Sequence, residues 1–82
     1  MKLNLYSIKD KQDQFKQPFV YVNDALVLRH LNNSLKDKNE FSLNPEDFIL
    51  YRVGSFDTET GILESDIKHI VDVKDLVDVD SK

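Results

Sequence analysis

The sequence predicts an α+β fold: a single antiparallel sheet of three to five strands, in β-β-α-β-β order, with one amphipathic helix on one face. Three observations predict it. Short apolar runs with β-branched and aromatic content recur along the chain and are separated by polar or glycine-containing turns. A single stretch, around Val27 to Leu35, carries apolar residues at helical spacing. At 82 residues the chain has room for one domain only.

Leu3, Leu5 and Ser7 alternate with Asn4, Tyr6 and Ile8, which reads as a first strand ending at the polar run Lys9 to Gln17. Pro18 opens a second strand, Phe19 to Val22, at a first position where its missing N–H donor is tolerated. Asn23 then suits a helix N-cap, and Asp24 places a negative charge in the first turn, where it meets the positive end of the helix dipole. The helix is expected from Asp24 to Asp37, with Val27, Leu28, Leu31 and Leu35 as its apolar stripe.

Lys36 to Leu43 is polar apart from Phe41 and Leu43, and Asn44-Pro45-Glu46-Asp47 suits one short turn. Phe48 to Phe56 is apolar on both faces, the pattern of a central strand, and Gly54 within it marks a bulge or a close backbone approach. Asp57-Thr58-Glu59-Thr60-Gly61 forms the next turn, with Gly61 free to take the left-handed conformation. Ile62 and Leu63 begin a returning strand, and Ile67 to Val73 allow one more short strand. The domain is thus expected over residues 1–73, and residues 74–82, rich in aspartate, as an acidic flexible tail that is either merely solvated or lies over the basic half of the chain in competition with nucleic acid.

Composition narrows the function. Cysteine is absent, so neither a disulfide framework nor a thiol nucleophile is available, and a reducing compartment is expected. The amino-terminal alternation reaches Lys9 too early for a secretory signal, and no stretch approaches a membrane span. The net charge of −4 is unevenly spread: residues 1–41 hold seven basic against five acidic side chains, residues 42–82 four against ten. Affinity for phosphate must come from the first half.

No catalytic constellation is present. The serines lack a glycine-flanked elbow, and the glycines are committed to turns rather than to a phosphate cradle. Asp57-x-Glu59-x-Gly61 has the opening spacing of a calcium loop, but the twelfth position is Lys68 and the flanks read as strands. His30 and His69 have no companion ligands at metal spacing. A binding protein without metal or cofactor is expected, not an enzyme.

If Leu3, Leu5, Val20 and Val22 serve the helix-facing core, then Tyr6, Phe19 and Tyr21 stand on the opposite, exposed face, rimmed by Lys2, Lys9, Lys11 and Lys16. Exposed aromatics with peripheral lysines can stack single-stranded bases while holding the phosphates. The same aromatics can equally complete a dimer interface or a second core layer. A chain this small, which buries only roughly 60% of its unfolded surface, gains from self-association, so a homodimer or small homo-oligomer is expected.

The runs PFVYVNDAL (residues 18–26) and PEDFILYRVGSFDTETG (residues 45–61), with the opening MKLNLYS, resemble the small nonstructural protein of gokushoviruses, Microviridae single-stranded DNA phages. The likeness extends from Met1 to Gly61 and fades after Leu63. That family is described as DNA-binding and as acting when phage replication shifts from duplex copying to making single strands for packaging. The resemblance implies a non-structural, non-enzymatic protein of the host bacterial cytoplasm and supplies no catalytic residues. Two functions follow as expectations: a single-stranded DNA-binding module, or an adaptor that recruits a host or phage replication factor without touching DNA.

Overall fold

A computed structural model describes residues 1–80. Its sheet has four strands, β1 (Lys2–Asp10), β2 (Phe19–Tyr21), β3 (Phe48–Asp57) and β4 (Leu63–Asp72), in the spatial order β2-β1-β3-β4, each neighbouring pair antiparallel. Helix α1 (Asp24–Ser34) follows β2, a one-turn helix α2 (Glu40–Leu43) and a 3-10 turn (Pro45–Asp47) precede β3, and α3 (Val73–Asp80) follows β4. The α+β class and the single antiparallel sheet agree with the sequence reading. The expected single helix is joined by two others, and the two carboxy-terminal strand runs merge into one ten-residue strand.

Directly opposed residues of an antiparallel pair share a face. Tyr6 lies opposite Phe19 on one side and Arg52 on the other, Asn4 opposite Tyr21, and Ile8 opposite Leu50. One face therefore collects Tyr6, Ile8, Phe19, Tyr21, Leu50 and Arg52. Val27, Leu31 and Leu35 from the α1 region and Val73 from α3 close over it, and with Tyr6, Ile8, Phe48 and Leu50 they form the buried core.

This reverses the expected parity. Leu3, Leu5, Val20 and Val22 were assigned to the helix side, yet Val20 and Val22 are 50% and 48% exposed while Tyr6 is fully buried. The reason is area and shape. The aromatic side chains remove more apolar surface from water than valines do, and a short helix set above the sheet leaves a gap that only large rings fill.

Local hydrogen bonds set the helix ends. The Asn23 side chain accepts from the Leu26 N–H at 2.9 Å, the cap the sequence predicts. Helix α1 stops at Ser34, short of the expected Asp37, where the Ser34 hydroxyl donates to the Leu31 carbonyl and the Asn39 amide donates to the Ser34 carbonyl. Asn39 then starts α2 with a capping box: its side chain accepts from the Phe41 and Ser42 N–H groups, and the Ser42 hydroxyl accepts from the Asn39 N–H. Phe41 is thereby set edge-to-face on Phe48, with centroids 4.8 Å apart.

The expected tail enters the fold directly after β4. Val73 is buried in the core, and Leu76 and Val77 pack against it, which is the i, i+3, i+4 stripe of an amphipathic helix. The remainder of that tail, residues 81–82, lies outside the described residues.

Gly54 sits where the sheet fans. Between Tyr6 and Leu5 on β1 the chain advances one residue, between Arg52 and Gly54 on β3 two, and between Lys68 and Ser65 on β4 three. A Cβ at Gly54 would run into the Glu64 carbonyl oxygen across the strand pair. Both expectations for this glycine, bulge and close approach, therefore hold. Gly61 adopts φ +76° with open space around it, and its N–H donates to the Asp57 carbonyl at 2.7 Å. Urea denaturation should separate the two glycines: Gly54→Ala costs about 2–4 kcal/mol through collision with backbone, whereas Gly61→Ala costs about 1 kcal/mol of backbone strain. Equal losses would remove the collision as the reason for Gly54.

Candidate nucleic-acid interface

Because the core residues of the helices lie on one side, the sheet's other face has no helix over it. Leu3, Leu5, Ser7 and Lys9 of β1 belong to it, opposite Phe56, Gly54, Tyr51 and Ile49 of β3 respectively. The amino-terminal end of β1 contributes an apolar half in which Phe56 stands between Leu3 and Leu63, with Val20 beside Leu5; the other end carries a row of rings.

The loop between β1 and β2 builds that second half. Phe15 bridges back to Lys9, the Lys16 N–H donates to the Ile8 carbonyl at 2.8 Å, and the Ser7 hydroxyl donates to the Lys16 carbonyl at 2.6 Å. Phe15 is thus fixed beside β1 while remaining 40% exposed. Its ring meets Tyr51 of β3 edge-to-face at 5.5 Å, and Tyr51 meets His69 of β4 edge-to-face at 5.9 Å. The Lys9 ammonium stands 5.1 Å from the Phe15 ring centroid, a cation–π contact that also holds the charge at the end of the row.

His69 Nε2 lies 2.8 Å from Asp72 Oδ1. That hydrogen bond, helped by the charges of His69, Lys11 and Lys74, holds the Asp72 carboxyl below the ordinary carboxylate range. Lys11 follows directly on β1, its N–H donating to the Asp47 carbonyl at 2.8 Å, at the same end of the sheet as Lys9.

The seven residues expected to bind nucleic acid are not on one surface. Lys9 lies at the ringed end of the uncovered face, and Lys11 just beyond the end of β1 there. Lys2 is on the helix side, paired with Glu64 at 3.3 Å and lining a polar hollow of about 280 Å³ with Asn4, Arg52 and Asp66. Lys16 is paired with Glu40 at 3.2 Å and stands 5.7 Å over the Phe48 ring. Phe19 and Tyr21 pack on Tyr6 at 6.2 and 6.3 Å and line a half-open apolar concavity of about 310 Å³ with Ile8, Val27 and Leu31. Tyr6 is sealed in the core and has no free ring face to offer a base.

The rings that form the row on the uncovered face, Phe15, Tyr51 and His69, were absent from that set, as was Phe56 at its other end. Phe15 is the lone aromatic in a polar run and Tyr51 lies on a strand apolar on both sides, so their faces depend on pairing between distant segments. Among the described residues no cluster of three or more His, Asp or Glu side chains is arranged to hold a metal ion, and no helix is long and apolar enough to cross a membrane.

The sequence model of a family described as phage ORF5 protein matches residues 3–76, from the start of β1 into α3. The chain belongs to the phage ORF5 protein family. No curated protein and no solved structure matches it. For this ORF5-family protein, the match takes in all four strands apart from Lys2, and with them both ends of the open face.

Tyr6 has a structural role with a measurable signature. Its hydroxyl donates to Asp24 Oδ1 at 2.5 Å and accepts from the Asn4 amide at 3.1 Å, while Arg52 Nη1 reaches both Asp24 oxygens at 3.4 Å. Burial first, and the Asp24 hydrogen bond second, push the Tyr6 phenol up to about 12. The protonated phenol stabilises the fold fully below the ordinary tyrosine value, and that contribution is lost as pH rises through the folded value. A shift of this size corresponds to roughly 2–3 kcal/mol. Denaturant titrations at rising alkaline pH should therefore show a steep loss of stability, and Tyr6→Phe should flatten it while lowering stability at neutral pH. An unchanged alkaline slope in Tyr6→Phe would sink this assignment.

Proposed function

We propose that this phage protein binds single-stranded DNA on the uncovered sheet face, with bases against Phe15, Tyr51 and His69 and phosphates toward Lys9 and Lys11. The observation that carries the reading is the row of three edge-to-face rings drawn from the β1–β2 loop, β3 and β4, with a lysine seated on its first member. Rings on an open sheet offer π-faces to any unpaired base, and lysines at the margin act as phosphate contacts, so recognition of this kind tolerates sequence variation.

The net charge of −4 and the pairing of Lys2 and Lys16 with glutamates leave few cations for DNA. Two phosphate contacts imply a shallow salt dependence, with a log–log slope of roughly −1.4 on a single strand. Stacking then supplies most of the affinity. Such a protein suits the stage at which a single-stranded DNA phage accumulates unpaired strands. The likeness to the gokushovirus nonstructural protein supports that place in the cycle, in the host cytoplasm, with a binding rather than an enzymatic role.

The adaptor reading has one observation of its own, the half-open concavity beside Phe19 and Tyr21, which suits an apolar side chain of a replication protein. Fluorescence anisotropy with labelled oligodeoxythymidine across a salt series discriminates. Phe15→Ala and Tyr51→Ala are each expected to weaken binding by about 1–3 kcal/mol with the circular dichroism spectrum retained. Lys9→Ala is expected to weaken binding and to reduce the salt slope by about 0.7. Affinity unaltered in all three variants, or no binding by the parent protein, would favour the adaptor.

A further inference from the structure

The two edges of the sheet are unequal. On one side β2 is three residues long and follows Pro18, a short edge of the kind that resists pairing. On the other, β4 runs ten residues without proline or glycine, and Leu63 to His69 are all exposed. Leu63 and Ile67 are 65% and 62% exposed there. A strand of this length presents an outward row of backbone donors and acceptors that another strand can satisfy.

Charge says which strand. Lys68 lies directly opposite Arg52 on β3, a like-charge pair, and among the described residues no carboxylate forms an ion pair with Lys68. Asp66, on the same side of the sheet in the hollow with Arg52, has no ion-pair partner among them either. Between the two stands Ile67. The segment Asp66-Ile67-Lys68 is therefore complementary to itself in the antiparallel sense.

We propose that β4 pairs antiparallel with β4 of a second copy about a two-fold axis through Ile67, joining two four-stranded sheets into one of eight. In this register Asp66 faces Lys68 of the second copy and Lys68 faces its Asp66, while Ile67 meets Ile67 and Ser65 meets His69. Opposed residues of a strand pair share a face, so a self-pairing register can shift only by whole alternations. Centring on Asp66 would set Asp66 against Asp66, and centring on Lys68 would set Lys68 against Lys68. Only the Ile67 register brings opposite charges together there without opposing like ones. The two extra residues of β4 relative to β3, and its charges, are devices that discourage indiscriminate edge pairing; arranged in this order, the charges leave one pairing favoured. Cross-strand pairs of opposite charge stabilise, and by symmetry this one occurs twice.

A two-fold axis normal to the sheet puts both uncovered faces on the same side, so the ring rows of the two copies would share one surface. The pairing itself rests on the edge alone and is tested without DNA. Sedimentation equilibrium should find a dimer of the full chain at micromolar concentration. Lys68→Glu and Asp66→Lys should each raise the dimer dissociation constant by about tenfold or more, and the double variant Asp66→Lys/Lys68→Glu should restore it.

The absence of native cysteine gives a second measurement. Directly opposed Cα atoms in an antiparallel pair lie about 4.5–5.5 Å apart, within disulfide reach. Ile67→Cys should therefore oxidise to a linked dimer, whereas Glu64→Cys, whose counterpart lies well beyond the axis, should not. A monomeric parent protein, charge reversals without effect, a double variant that fails to recover, or equal cross-linking at positions 64 and 67 would each overturn the proposal.

Discussion

The buried Tyr6 hydroxyl and its partners are the constraint on which the arrangement turns. Tyr6 comes from β1, Asp24 from the first turn of α1, and Arg52 from β3, so one polar cluster ties the helix to both central strands. A phenol sealed from water without a partner would cost far more than a hydrogen bond contributes. The helix must therefore begin where its aspartate reaches the phenol, and Asn23 starts it there. Once α1 is so placed, Val27 and Leu31 lie over Tyr6 and Ile8, and Phe19 and Tyr21 fill the flank.

Closing one face so completely leaves the other to be used. A chain of this length cannot build a third layer, and its short helices all go to the side that Tyr6 selects. The uncovered side retains apolar character because β1 and β3 are apolar in both directions, as strands in the middle of a sheet tend to be. The ring row at one end and the apolar patch around Phe56 at the other are thus products of a two-layer fold. Their separation along the strands gives the face chemically distinct ends.

Much of the fold was legible in local letters. The Asn23 cap, the strand beginning at Phe48 and the Gly61 turn each depend on a few adjacent residues, and each is found where the sequence places it. The parity of β1 and β2 was not legible, because Leu3, Leu5 and Val20 compete with Tyr6, Ile8 and Phe19 for the core and only the helix decides. Helix α3 was misread because aspartates and valines alternate from Asp72 onward, which masks the helical spacing of Val73, Leu76 and Val77. At the ringed end, Lys9 is expected from the sequence as part of a rim to Tyr6, Phe19 and Tyr21, whereas its actual neighbours Phe15, Tyr51 and His69 come together only through strand order β2-β1-β3-β4. The Asn39 and Ser42 capping box was a second missed signal of short range.

The pairing of β1 with β3 also governs how the chain can be made. Lys2 is matched with Asp57, so β1 waits until some fifty further residues have been made before its pairing with β3 is complete. The β3–β4 hairpin, by contrast, closes over a short turn at Asp57 to Ile62 and needs no distant segment. Contacts between remote positions form slowly because loop closure must precede them. Synthesis therefore delivers β1, β2 and α1 with only the short β1–β2 pairing available to them, and the longer pairing of β1 with β3 has to follow.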